Sequence, residues 1–155
     1  MTIDRNTLLF FDASCLIAAA GSPNGGSGFL LSLCAKRLIK GAISQPVLLE
    51  AQRNIQTKLG DESLNTFYNF LTVTPLTLAS IPGKSELKRI GSLVTSKDAH
   101  VVGAAMVIKA DFLLTLDKRL NLQVNQAKLG IQAISPGDFI KSILPSHTDY
   151  PSSKD

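Results

Sequence analysis

The chain is 155 residues long, 45% hydrophobic and 18% charged, which suits one folded domain and excludes a disordered chain. Its formal charge of +4, from 16 basic and 12 acidic residues, is a mild surplus that favours a polyanionic partner. No run of about 18 uncharged apolar residues exists, so no membrane span is expected; Asp4, Arg5 and Asp12 break any signal-peptide pattern, which makes the cytoplasm the expected compartment.

Thr7 to Phe11 is an apolar run of strand length stopped by Asp12, and Ala13 to Ala20 reads as a short helix ended by Gly21. Cys15 and Cys34 lie in apolar surroundings, match no metal-ligand spacing, and read as small buried hydrophobes. Gly21 to Gly28 reads as a connecting loop; it has the glycine spacing of a phosphate-binding loop but not the Lys-Ser/Thr that must follow. Phe29 to Lys40 patterns as an amphipathic helix with Lys36, Arg37 and Lys40 at its cation-favouring end. Ala42 to Ser44 is a short strand candidate, and Pro46 fits the first turn of a helix that Gly60 stops. Asp61 caps the next helix, with Leu64, Phe67, Phe70 and Leu71 as its buried stripe.

Pro75 to Ala79 is a third strand candidate, followed by a helix over Ser85 to Leu93. Lys97 to Lys109 is apolar nearly all round its middle, so a buried helix is expected there, with Gly103 allowing close approach to a sheet. Asp111 to Thr115 is the next strand and leads to Asp117; Ile131 to Ile134 is the last, and Pro136 opens a closing helix through Ile143. The domain is expected to span residues 1–144, with 145–155 a polar, frayed tail in which His147 is exposed.

Short apolar strands alternating with helices specify an α/β fold: a three-layer sandwich with a central, mostly parallel sheet flanked by helices. Ligands of such sheets bind beyond the carboxyl ends of the strands, where strand order reverses. Asp12 and Asp117 follow apolar strands directly. Asp98 opens the helix leading into the strand before Asp117, and a right-handed crossover lets those two acids meet. Pattern alone does not place Glu50. Each acid also has an ordinary reading: Asp12 and Asp117 as helix caps, Asp98 in a Thr95-Ser96-Lys97-Asp98 capping box, Glu50 as a solvated helix residue.

Five segments in order resemble the PIN-domain family of nucleases, which includes the VapC-like toxins of toxin–antitoxin pairs. They are Phe11-Asp12-Ala13-Ser14-Cys15-Leu16-Ile17-Ala18, Val47-Leu48-Leu49-Glu50, Asp98-Ala99-His100, Ala110-Asp111-Phe112-Leu113-Leu114-Thr115-Leu116-Asp117 and Ile134-Ser135-Pro136-Gly137-Asp138-Phe139. The resemblance implies an Mg2+- or Mn2+-dependent endoribonuclease whose ion is held by Asp12, Glu50, Asp98 and Asp117. Ser14 and Thr115 match hydroxyl residues beside the first and last acids, able to orient a carboxylate or a water. It also implies an RNA substrate, a small antitoxin partner and a homodimer. Lys118 and Arg119 stand where many relatives carry a further acid, which weakens the case for a second ion.

Such chemistry needs no Ser, Cys or His nucleophile and fits a chain with 2 histidines. His100 reads as a packing or rim residue rather than a catalytic one. Lys36, Arg37, Lys40, Lys84, Lys88, Arg89, Lys118 and Arg119 are candidate phosphate contacts. The absence of Trp leaves little for base stacking. An alternative is a catalytically weak or inactive module of the same fold that binds RNA or a partner protein. A phosphotransferase is a third reading, but Asp12-Ala13-Ser14 lacks the second Asp of a haloacid-dehalogenase-like phosphatase, and the paired acids of a receiver domain are missing.

Overall fold

The computed structural model describes residues 1–151. Five short strands, β1 (Leu8–Phe11), β2 (Lys40–Ser44), β3 (Leu76–Ala79), β4 (Phe112–Leu114) and β5 (Gln132–Ile134), form one sheet in the order β3-β2-β1-β4-β5. Every pairing is parallel. The inner strands β1 and β4 are buried almost throughout, which is why they read as uninterrupted apolar runs. Strand order reverses at β1, with β2 on one side and β4 on the other, so the crevice predicted for a ligand opens beyond Phe11 and Leu114.

Among the described residues, eight α-helices cover the two faces: α1 (Ala13–Gly21), α2 (Gly26–Ala35), α3 (Gln45–Lys58), α4 (Asp61–Val73), α5 (Lys84–Gly91), α6 (Ala99–Val107), α7 (Lys118–Ala127) and α8 (Pro136–Ser142). α1 packs against α2, α3 and α4, and α8 joins α2, making one layer. α5 rests on α6, which crosses β2, β3 and β4, while α7 lies against β5. The chain steps from β1 out to β3 and then returns to β4, and right-handed connections put the later helices on the opposite face. The three-layer sandwich is therefore as expected. Phe10, Phe11, Leu9 and Leu113 form its centre, each fully buried.

Several local expectations are corrected. The helix read as Phe29 to Lys40 starts earlier and stops at Ala35. Arg37 turns left-handed (φ 60), its N–H donates to the Cys34 carbonyl at 3.0 Å and Leu38 N–H to Leu33 at 3.0 Å, freeing Lys40 to enter β2. Gly103 does not meet the sheet: a Cβ there would touch Pro82 Cγ at 2.6 Å and Ile90 Cδ1 at 3.3 Å, so it seats α6 under α5 and the segment before it. The capping box at Thr95 is replaced by a short 3-10 turn, Ser96–Asp98, without a side-chain cap bond.

His147 is buried rather than exposed. Its Nε2 lies 2.6 Å from the Leu38 carbonyl, its Nδ1 accepts Asp149 N–H at 2.9 Å, and Ile3 bridges to it through the backbone. The polar segment after Pro145 is thus tied down as far as Asp149; residues 152–155 of that expected tail lie outside the described residues. Both cysteines are buried free thiols, and burial pushes the thiol of Cys34 up to about 12 and raises that of Cys15 as well. Neither is poised to react. Among the described residues, no helix is long and apolar enough to cross a membrane.

Candidate active site

Asp12 ends β1 and opens α1. Its Oδ1 accepts the Ala13 N–H at 2.8 Å, and its own N–H donates to the Leu114 carbonyl at 3.0 Å, locking the ends of β1 and β4 together. The other oxygen, Oδ2, accepts two hydroxyls: Thr115 Oγ1 at 2.7 Å and Ser14 Oγ at 3.1 Å. Those hydroxyl oxygens are themselves acceptors, for Asp117 N–H at 3.1 Å and Leu116 N–H at 3.1 Å. The turn carrying Asp117 is therefore bonded through Thr115 and Ser14 to Asp12, and a buried carboxylate is matched by three donors.

Asp117 is exposed and caps α7, its Oδ1 accepting Arg119 N–H at 3.0 Å and Leu120 N–H at 3.2 Å. The capping reading of both aspartates holds, and each commits only one oxygen to its own helix; Asp117 Oδ2 accepts nothing among the described residues. Asp98 is half-buried at the head of α6 and its carboxylate has no hydrogen-bond donor among the described residues. Burial first, then the charge of Asp12 and, more weakly, that of Asp117 push its carboxyl above the usual carboxylate range, while Lys97 and His100 pull it back. The structure thus brings Asp12, Ser14, Thr115, Asp117 and Asp98 to one end of the sheet.

Glu50 stands apart. It is exposed on α3, one position before Ala51, and the face that α3 buries is Val47, Ala51 and Ile55. It lines a groove of about 500 Å³ with Gln45, Arg53, Ile81 and His100. His100 shares that groove with Glu50, and its Nδ1 is buried without a partner among the described residues. Among the described residues, no three His, Cys, Asp or Glu side chains are close enough to hold an ion as they stand.

Sequence reasoning overlooked the polar residues that seat this cluster. Asn121 on α7 donates Nδ2 to the Thr115 carbonyl at 3.2 Å, and Gln123 on the same helix accepts from Thr95. Their only sequence signal was an amide where an amphipathic helix turns inward, which many solvated helices share.

A family profile for the PIN domain matches residues 9–119, more than two thirds of the chain. Among solved structures, the chain is similar to VapBC2 from Rickettsia felis bound to a DNA fragment from its promoter, with a TM-score of 0.63 and 15% identity over 83% of this chain and 98% of that one. It is similar also to the protein PAE2754 from Pyrobaculum aerophilum, with a TM-score of 0.56 and 20% identity over 83% and 84%. A third similarity is to VapC20 of Mycobacterium tuberculosis, a sarcin-ricin loop cleaving toxin, with a TM-score of 0.52 and 13% identity over 80% and 98%. No curated protein sequence matches the chain.

Proposed function

The chain belongs to the PIN-domain nuclease family, and on that premise we propose that it is an Mg2+- or Mn2+-dependent endoribonuclease, the toxin of a toxin–antitoxin pair. The observation that carries this reading is the convergence of carboxylates on the crevice. Asp98 is a half-buried carboxylate with no donor, facing two further carboxylates, and such convergence requires a proton or a cation to compensate it.

The donor set fits a hard divalent ion, which prefers carboxylate and water oxygens. Asp12, Asp98 and Asp117 would hold it, with Glu50 the fourth ligand that the family resemblance implies. When bound, the ion supplies activation of water and stabilises charge on the attacked phosphate and the leaving oxygen. The chain's own residues do the rest. Thr115 and Ser14 fix the orientation of Asp12 by donating both their hydroxyl protons to Oδ2. Asp117, held through Oδ1 by the first turn of α7, leaves Oδ2 uncommitted for a ligand. Lys118 and Arg119, exposed beside it, attract the phosphates of the strand being cut.

Structures similar to this chain include VapBC2 from Rickettsia felis and FitAcB from Neisseria gonorrhoeae, which supports a small antitoxin as partner; a homodimer is proposed by family analogy. The second reading, a module that holds RNA or a protein without cutting, is favoured by the absence, among the described residues, of three acids close enough to hold an ion as they stand. Incubation with single-stranded RNA in Mg2+, Mn2+ or EDTA decides between them. The nuclease gives product in the metal lanes only; retained but intact RNA in all lanes supports the binding module.

A further inference from the structure

Resting on the metal reading above, we propose that Gln123 is a positioning residue that fixes, through Thr95, the spacing between Asp98 and Asp117. Gln123 Oε1 accepts both the backbone N–H of Thr95 at 3.0 Å and its hydroxyl at 3.2 Å, a tie across 28 residues of sequence. Thr95 immediately precedes the 3-10 turn Ser96–Asp98, and its carbonyl accepts the Asp98 N–H at 2.8 Å. The amide oxygen of one residue on α7 is thus connected by consecutive hydrogen bonds to the backbone of Asp98.

The same helix carries Asp117 as its N-cap and is held to the end of β4 by Asn121. α7 therefore acts as a beam with one acid at its tip and the loop of the other strapped to its side. The strap opposes a definite force. Asp98 accepts no hydrogen bond of its own among the described residues and is repelled by Asp12 and Asp117, so an untied loop relaxes away from the crevice. A partner for Thr95 alone would need one acceptor anywhere on the surface; the acceptor here sits on the helix that bears the other acid.

Gln123→Met keeps the length of the side chain and removes the amide acceptor. Asn125→Leu is the control: Asn125 lies on the same helix but bonds the Ala133 backbone, at 2.9 and 2.8 Å, away from the acids. Mn2+ binding is followed by the electron paramagnetic resonance of the free ion, and the metal-free melting temperature is recorded for every variant. Gln123→Met should weaken Mn2+ binding about 10-fold or more, as loss of an outer-shell partner does, whereas Asn125→Leu lowers the melting temperature with Mn2+ affinity within about twofold. Thr95→Ser, which keeps both donors, should bind as the unmodified chain does, and Thr95→Val, which keeps only the N–H, should fall between. The Thr95 pair carries the test if Gln123→Met does not fold. Unchanged affinity in Gln123→Met or in Thr95→Val, or an equal loss in Asn125→Leu, overturns the positioning role. An unmodified chain that takes up no Mn2+ overturns the metal reading itself, and the role with it.

Discussion

Thr115 and Asp12, 103 residues apart, are joined by a 2.7 Å hydrogen bond from hydroxyl to carboxylate across the ends of β4 and β1. The same hydroxyl oxygen accepts the Asp117 N–H at 3.1 Å, so one fully buried side chain couples two of the proposed ion ligands. Thr115→Val keeps the shape and removes both bonds. We expect a stability loss of about 2 kcal/mol, since a hydrogen bond to a carboxylate contributes roughly 1.5–3 kcal/mol and the part-buried Asp117 N–H loses its acceptor. Cleavage should fall by about 10- to 100-fold, with Thr115→Ser close to the unmodified chain. Urea unfolding and single-turnover RNA cleavage measure the two effects.

Asp98 gives the metal-free protein a pH dependence. Its carboxyl is raised in the folded state, by burial first and then by Asp12 and Asp117. A raised acid binds its proton more tightly folded than unfolded, so its contribution is complete below the ordinary carboxylate range and is lost as pH rises through the raised value. In EDTA, Asp98→Asn should therefore melt higher than the unmodified chain at neutral pH and lose this part of the pH dependence. Thermal melts from pH 4 to 8 test it; an Asp98→Asn protein that melts lower than the unmodified chain at neutral pH contradicts it.

How much of this could be read before folding differs from residue to residue. Asp12 and Asp117 were legible because β1 and β4 are buried on both faces, so their apolar runs end visibly at the acid. Asp98 was placed by topology, but its capping box was not formed: the Thr95 hydroxyl turns to Gln123, a partner no local pattern announces. Glu50 was illegible because the apolar face of α3 fixes Val47, Ala51 and Ile55 and leaves the next position free to point several ways. The run Gly21 to Gly28 read as loop from its glycines, yet Gly26 to Gly28 form the first turn of α2, where the carbonyl of Pro23 leaves no room for a Cβ at Gly28. His147 misled because polar composition resembles fraying, whereas its ring satisfies a carbonyl and an N–H from separate segments.

The seat of α6 is tested at Gly103. A methyl group there would stand 2.6 Å from Pro82 Cγ and 3.1 Å from its Cβ. The rigid proline ring cannot rotate away, so Gly103→Ala should cost about 1–3 kcal/mol through overpacking, partly offset by alanine's better helix propensity. Urea unfolding gives the number. A neutral or stabilising Gly103→Ala would show that the segment around Pro82 yields freely.

Lys118 and Arg119 occupy the first turn of α7, where the helix dipole disfavours cations, and neither forms an ion pair among the described residues. Replacing both with alanine should leave stability unchanged or slightly higher. RNA binding should weaken for every sequence alike, and the slope of log K against log salt should flatten by about 0.7 per cation removed from a single strand. Binding titrations at several salt concentrations would measure it; an unaltered slope would remove these cations from the substrate path.

A shared divalent ion is tested most directly by Mn2+ linkage in the unmodified chain and in Asp12→Asn. The unmodified protein should gain about 2.7 kcal/mol at 100 times its dissociation constant, and should cut RNA only when the ion is present. Asp12→Asn should fold in EDTA yet show neither the gain nor the cleavage. An Asp12→Asn protein that is stabilised by Mn2+ as strongly as the unmodified chain, or that still cleaves RNA, would contradict the assignment of this crevice.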